Sequence, residues 1–133
     1  MNFFLDTNIC IYLLKDTFPE VKNSLLKHKP NKIKIPSIVK AELLFGAVKS
    51  KQKETFKVVE QFLMPFEIIS FCTISAEHYG AIRQDLEKKG KMIGANDLII
   101  ASTVLANNGT LVSHNSKEFK RVKGLEFVDW LTR

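Results

Sequence analysis

The sequence predicts an α/β domain of three layers, α/β/α, with helices on both faces of a central, mostly parallel sheet. Two observations carry that prediction. Short β-like apolar runs alternate with longer runs at helical spacing along the whole chain, and strands separated by helices join as parallel neighbours covered on both sides. The 133 residues suffice for one domain, 1–133, and fall short of the roughly 200 beyond which chains usually divide.

Taken in order, residues 2–5 read as a buried strand, after which Thr7 or Asn8 is expected to cap a short helix carrying Ile9, Tyr12 and Leu13. Pro19 suits the first turn of a second helix through Val21, Leu25 and Leu26. Residues 32–36 form a strand, and Ser37 is placed to cap a helix with Val39, Leu43, Leu44 and Val48 on its apolar face. A further helix with Phe56, Val59, Phe62 and Leu63 ends at Pro65, and 66–71 is a third strand. Ser75 is expected to cap the next helix, which Gly90 closes. The most apolar helix, 95–106, stops at Asn107-Asn108-Gly109, and two last strands, 110–113 and 126–128, flank a short helix around Phe119. There is no internal repeat, low-complexity stretch or linker.

Composition narrows the function classes. A hydrophobic fraction of 45% excludes a disordered chain. Cys10 and Cys72 have neither the number nor the spacing of a disulfide framework or zinc site, and both lie in apolar runs, as core residues do. No segment reaches the ~18 continuous apolar residues of a membrane span, and an acidic residue at position 6 is incompatible with a secretory leader. We therefore expect a cytoplasmic protein. The formal charge of +6 favours an anionic partner. Its lysines cluster at 27, 29, 32 and 34, at 49, 51, 53 and 57, and at 88, 89 and 91. For any one cluster a solvated helix face is as good an account as a nucleic-acid footprint.

Ligands of open α/β sheets bind beyond the carboxyl ends of the strands. Asp6 lies at that end of the first strand, Glu42 one turn into the helix after the second, and Asp97 in the first turn of the helix 95–106. Each has a structural alternative. Asp6-Thr7-Asn8 reads equally as a strand-to-helix cap, and Asp97 suits the positive end of its helix. Glu42 is the least ordinary, because an acid on an inward helix face needs a partner and no Arg or Lys is placed to be one. Clustered carboxylates repel, and one retains its proton unless a cation neutralises the site. Oxygen donors without His or thiolate suit a hard divalent ion, Mg²⁺ or Mn²⁺.

The segments Phe4-Leu5-Asp6-Thr7-Asn8, Ile35-Pro36-Ser37 through Ala41-Glu42-Leu43 to Gly46, and Ile93-Gly94-Ala95-Asn96-Asp97-Leu98 resemble the PIN-domain family. The tail, Thr110 to Asn115 through Glu118-Phe119 to Asp129-Trp130, is similar to its VapC branch. The resemblance spans essentially the whole chain, in order. It implies a PIN-like nuclease domain and an endoribonuclease toxin of a type II toxin–antitoxin system, needing Mg²⁺ with Mn²⁺ able to substitute. It further implies a homodimer, neutralised by a cognate VapB-like antitoxin and cutting RNA, with tRNA, initiator tRNA foremost, as the expected substrate. By position, Asp6, Glu42 and Asp97 match the family's catalytic and metal-holding acids, with Asn8 and Ser113 in support. The fourth acidic position falls on Asn115, where many members have Asp, or on Glu118. The basic clusters would hold the RNA backbone with little sequence choice.

Other classes fit less well. A haloacid-dehalogenase-like phosphatase needs a second Asp where Asn8 stands, and a phosphorelay receiver needs an Asp near Phe71-Cys72-Thr73, which offers none. A non-catalytic RNA-binding module is the alternative of a different kind. It lacks an aromatic stacking motif, and metal-dependent cleavage separates it from the nuclease.

Overall fold

Phe4 and Leu5, Ile35 and Pro36, and Leu111 and Val112 are pairs of consecutive strand residues that are all buried. Neighbouring strand residues point to opposite faces, so these strands must be covered on both sides. The computed structural model, which describes residues 1–131, has that arrangement. Five strands, β1 (Phe3–Leu5), β2 (Ile33–Pro36), β3 (Glu67–Ile69), β4 (Thr110–Val112) and β5 (Glu126–Val128), form one parallel sheet in the order β3-β2-β1-β4-β5. Phe3 pairs with Ile33 on one side and with Thr110 on the other. The two edge strands are the least buried, as their position requires.

The helices are α1 (Thr7–Lys15), α2 (Pro19–Leu26), α3 (Ser37–Lys49), α4 (Lys53–Leu63), α5 (Thr73–Lys89), α6 (Ala95–Ala106) and α7 (Ser116–Phe119), with a 3₁₀ turn at Pro30–Lys32. From β1 the chain steps to β2 and β3 in one direction, then returns to β4 and β5 in the other. Right-handed crossovers therefore put α1 to α4 on one face and α5 to α7 on the other. The reversal makes the gap between β1 and β4 the topological switch point, where crossovers part and leave a crevice. Helix α6 carries six buried residues from Leu98 to Val104, which explains its apolar sequence. Among the described residues no helix is long and apolar enough to cross a membrane.

Several local expectations are corrected. Asp6, not Thr7 or Asn8, caps α1. Pro36 precedes α3, and Ser37 is already its first residue, with no side-chain cap. Helix α5 starts at Thr73, two residues before Ser75, which is buried in the first turn with its hydroxyl 3.5 Å from the Cys72 sulfur. Cys10 is in the core, but Cys72 is exposed because it ends the β3–α5 connection at the surface. Val48 is 67% exposed, as is Phe45, so α3 turns an apolar strip outward as well as inward. Strand β3 is shorter than 66–71. The expected stops hold: Gly90 ends α5 in the left-handed region, and Asn107-Asn108 ends α6.

Gly109 shows how tightly the switch region is packed. A Cβ there would lie 2.3 Å from Cε1 of Phe4, a ring that is 1% exposed. We expect Gly109→Ala to destabilise the fold by about 1–3 kcal/mol through overpacking, read as a lower denaturant midpoint at unchanged m-value. A midpoint equal to the parent's would show that the Phe4 ring moves aside freely.

Candidate active site

Strand β1 delivers Asp6 to the carboxyl edge of the sheet. Its backbone N–H donates to the Val112 carbonyl at 3.2 Å, extending the β1–β4 ladder by one step. Its extended backbone makes it the N-cap of α1, and one carboxylate oxygen accepts the Ile9 N–H at 2.9 Å. The Ser113 hydroxyl, at the end of β4, is a further hydrogen-bond partner. With 5% exposure, burial pushes the Asp6 carboxyl above its ordinary value, the hydrogen bonds from Ser113 and Ile9 oppose the rise, and the charges of Glu42 and Asp129 add to it. One side chain thus caps α1 and stands at the carboxyl edge of the sheet beside other carboxylates.

Glu42 is half-buried on α3 and finds partners that are not cations. Thr7 on α1 donates its hydroxyl to Oε1 at 2.6 Å, and Asn96 on α6 donates its amide to Oε2 at 3.1 Å. Neutral donors orient the carboxylate without bringing an opposite charge. The same bonds tie helices from both faces of the sheet together over its edge.

Asp97 stands in the first turn of α6. Gly94 precedes that turn, and a Cβ there would lie 3.3 Å from an Asp97 carboxylate oxygen, so glycine leaves the carboxylate its space. Burial, then a hydrogen bond shared with Glu118, then the charges of Glu118, Asp6 and Glu42, raise the Asp97 carboxyl from 3.8 to about 7. The alternatives at the fourth position take different places. Glu118, on α7, meets Asp97 directly, while Asn115 donates its side-chain amide to Glu118 at 3.0 Å from behind. Asn115 is itself held by its N–H on the Ser113 hydroxyl at 2.9 Å.

Asp97 thus feels the charges of Glu118, Asp6 and Glu42, and Asp6 that of Glu42, at one edge of the sheet. Among the described residues, however, no three acids, histidines or cysteines close on a single point. Like charges keep the carboxylates apart, and Glu42 is turned toward Thr7 and Asn96. Asn8 stands exposed and takes no part in the hydrogen bonds joining the acids; Thr7 has the supporting place expected of it. Two further contributors went unread in the sequence. Asn96 was visible only as a neighbour of Asp97. Asp129, 2.8 Å from the His114 ring, comes from beyond β5 and has no helical or strand spacing to the other acids.

The profile of the PIN domain matches residues 3–125. The chain belongs to the PIN-domain family. It is 46% identical over 132 residues to Ribonuclease VapC2 of Rickettsia felis, with 98% of each chain covered. It is 34% identical over 131 residues to the tRNA(fMet)-specific endonuclease VapC of Shigella flexneri, again with 98% of each covered. The solved VapBC2 complex of Rickettsia felis, bound to a DNA fragment from its promoter, superposes with a TM-score of 0.91 at 45% identity, covering 98% of this chain and 99% of that one.

In this PIN domain the carboxylates fit a hard divalent cation by charge and by donor type. A proton on Asp97 would compete with a cation held there, and binding at this carboxylate would release it. We expect Mg²⁺ affinity, measured by calorimetry, to rise about tenfold from pH 6 to pH 8, with close to one proton released per ion at pH 6. Folding has the opposite sign. A raised folded-state value makes the cation-free protein lose stability as pH climbs from about 4 through 7, and saturating Mg²⁺ should cancel that loss. Affinity independent of pH across this window would mean that Asp97 does not face the ion.

Proposed function

We propose that this chain is a divalent-metal-dependent endoribonuclease, the toxin of a type II toxin–antitoxin pair acting in the cytoplasm, with Mg²⁺ as the working ion and Mn²⁺ able to replace it. One observation carries the reading. Four carboxylates are gathered at the switch point of a parallel sheet, and none of the ion pairs among the described residues reaches them. A protein gains nothing in stability from such an arrangement without a cation. The names of the relatives, ribonuclease and tRNA(fMet)-specific endonuclease, support RNA as substrate and make initiator tRNA the first to try.

Asp6 and Asp97 are assigned as the principal metal-holding residues, with Glu42 holding the ion or the attacking water and Glu118 taking the fourth position in place of Asn115. The ion would supply charge neutralisation at the scissile phosphate and a more acidic water. The chain's own groups then do the rest. Ser113 and the Ile9 N–H fix Asp6 and favour its ionised form against the effect of burial. Thr7 and Asn96 aim Glu42, which can accept the proton of the attacking water. Attack by water on phosphorus, with the P–O3′ bond breaking and the 3′ oxygen taking up a proton as it leaves, gives a 5′-phosphate and a 3′-hydroxyl.

The partner proposed is a cognate VapB-like antitoxin, and the active unit a homodimer. A groove of about 600 Å³ between α1, α3 and α4 is lined by apolar residues such as Leu14, Leu43, Val58 and Val59, and it runs to Glu42. An amphipathic antitoxin segment laid there could point a basic side chain at the acids.

Two experiments test this reading. Expressing the chain alone should arrest growth, and co-expressing its antitoxin should relieve the arrest; normal growth at verified soluble expression speaks against a toxin. In vitro, Asp6→Asn, Asp97→Asn and Glu42→Gln should each lower Mg²⁺-dependent RNA cleavage ~10²-fold or more, with a higher Mg²⁺ requirement and partial rescue by Mn²⁺. Glu118→Gln should fall between these and Asn115→Ala, which keeps all four carboxylates. Because Asn caps a helix about as well as Asp, circular dichroism should be unchanged. Parental cleavage and Mg²⁺ dependence in both Asp variants would remove the proposed site.

A further inference from the structure

Of the basic clusters in the sequence, the one at the end of α5 gains cations from elsewhere in the chain. Lys89 and Lys91, flanking Gly90, meet Lys117, Lys120 and Arg121 around a concavity of about 590 Å³. Five cationic side chains from two separate segments line it; Lys89 is paired with Asp85 at 3.0 Å, and no carboxylate is among the lining residues. Like charges do not collect in one depression to stabilise a fold, since each raises the cost of the next. Arg121 donates to the Met92 carbonyl at 3.0 Å, which pins the segment after α7 to the loop leading into α6. That loop ends at Gly94, one turn before Asp97 on α6, and Glu118 on α7 lies between Lys117 and Lys120, the residue that caps the helix end. The two segments that line the concavity are thus also the ones that lead to Asp97 and carry Glu118.

The other clusters lack this placement. Lys27, Lys29 and Lys32 lie in or before the turn that enters β2, at the amino edge of a parallel sheet whose acids stand at the carboxyl edge. Lys49 ends α3, about 10 Å along the axis beyond Glu42 at 1.5 Å per residue, and is not among the residues lining the concavity described above.

We propose that the cleft of Lys89, Lys91, Lys117, Lys120 and Arg121 is the site where the RNA backbone next to the scissile phosphate is held, a deepening that rests on the ribonuclease reading above. A strand whose phosphate reaches the carboxylates must carry its neighbouring phosphates past one side of them. Repulsion from four acids would oppose this approach, and cations on the adjoining wall offset it. The contacts are to phosphates, so they position the strand and leave sequence choice to other parts of the surface.

The test compares Lys91→Ala/Lys117→Ala/Lys120→Ala with an equal-charge control, Lys22→Ala/Lys27→Ala/Lys29→Ala, all six lysines being exposed. The probe is unfractionated tRNA in EDTA, so that binding is measured without cleavage, over a range of KCl concentrations. The cleft variant should bind about 30- to 100-fold more weakly near 0.1 M salt, and its slope of log K against log salt should flatten by about two, as the loss of three phosphate contacts requires. The control should keep the parental slope. With Mg²⁺ and saturating protein, single-turnover cleavage by the cleft variant should return to within about threefold of the parent. Unchanged tRNA affinity and slope in the cleft variant, or an equal loss in the control, would overturn the proposal. So would a cleft variant that keeps tRNA but loses the antitoxin, since the cleft would then be a protein-binding surface. A parent that binds tRNA through the cleft yet cleaves no RNA with either ion would leave the cleft standing and remove the nuclease reading.

Discussion

The crowding of negative charge at the carboxyl edge of the sheet is the constraint around which the other features are arranged. Asp6, Glu42, Asp97 and Glu118 come from four different segments, and each must be held against the others. Asp6 is held by a backbone N–H at a helix start and a hydroxyl from the neighbouring strand's end. Glu42 is held by a hydroxyl and an amide, and Glu118 by the amide of Asn115. None of these donors carries a full positive charge. A lysine in their place would satisfy the acids and close the site to any cation. Neutral donors fix geometry and leave the charge for a ligand.

The sheet supplies the positions. Because all five strands are parallel and the chain reverses direction between β3 and β4, the ends of β1 and β4 lie side by side with no crossover above them. Asp6 and Ser113 are the first residues past those ends, and their contact follows from the register of Leu5 with Val112. The close approach of Gly109 to Phe4 at the opposite end of the same pair shows that the register is also set by packing.

The fold was legible because periodicity survives without a structure: buried parallel strands read as continuous apolar runs and α6 as an apolar helix. Caps were less legible. Asp6, Thr7 and Asn8 are all competent cap residues in a row, and only the register of β1 decides that the first of them takes the role. Val48 and Phe45 look like core by composition and are exposed, since helical spacing places apolar residues on a face but not on which face the neighbours lie. For the site, the three main acids could be read from position relative to strand ends. Asp129 and Asn96 could not, because their roles depend on through-space charge and a hydrogen bond spanning 54 residues.

The division of Asn115 and Glu118 follows the same logic of charge. Burial, and after it direct contact with a further carboxylate, already raise Asp97 to about 7. An Asp at 115 would add another negative group beside Glu118, where the amide of Asn115 now donates a hydrogen bond. The change from acid to amide thus removes one repulsion and adds one restraint, keeping Glu118 turned toward Asp97. Lys117 on the same short helix and Lys120 at its end line the cationic concavity. The short helix α7 therefore carries one of the clustered acids next in sequence to lysines of the cationic concavity, the juxtaposition on which the proposed path of the RNA backbone rests.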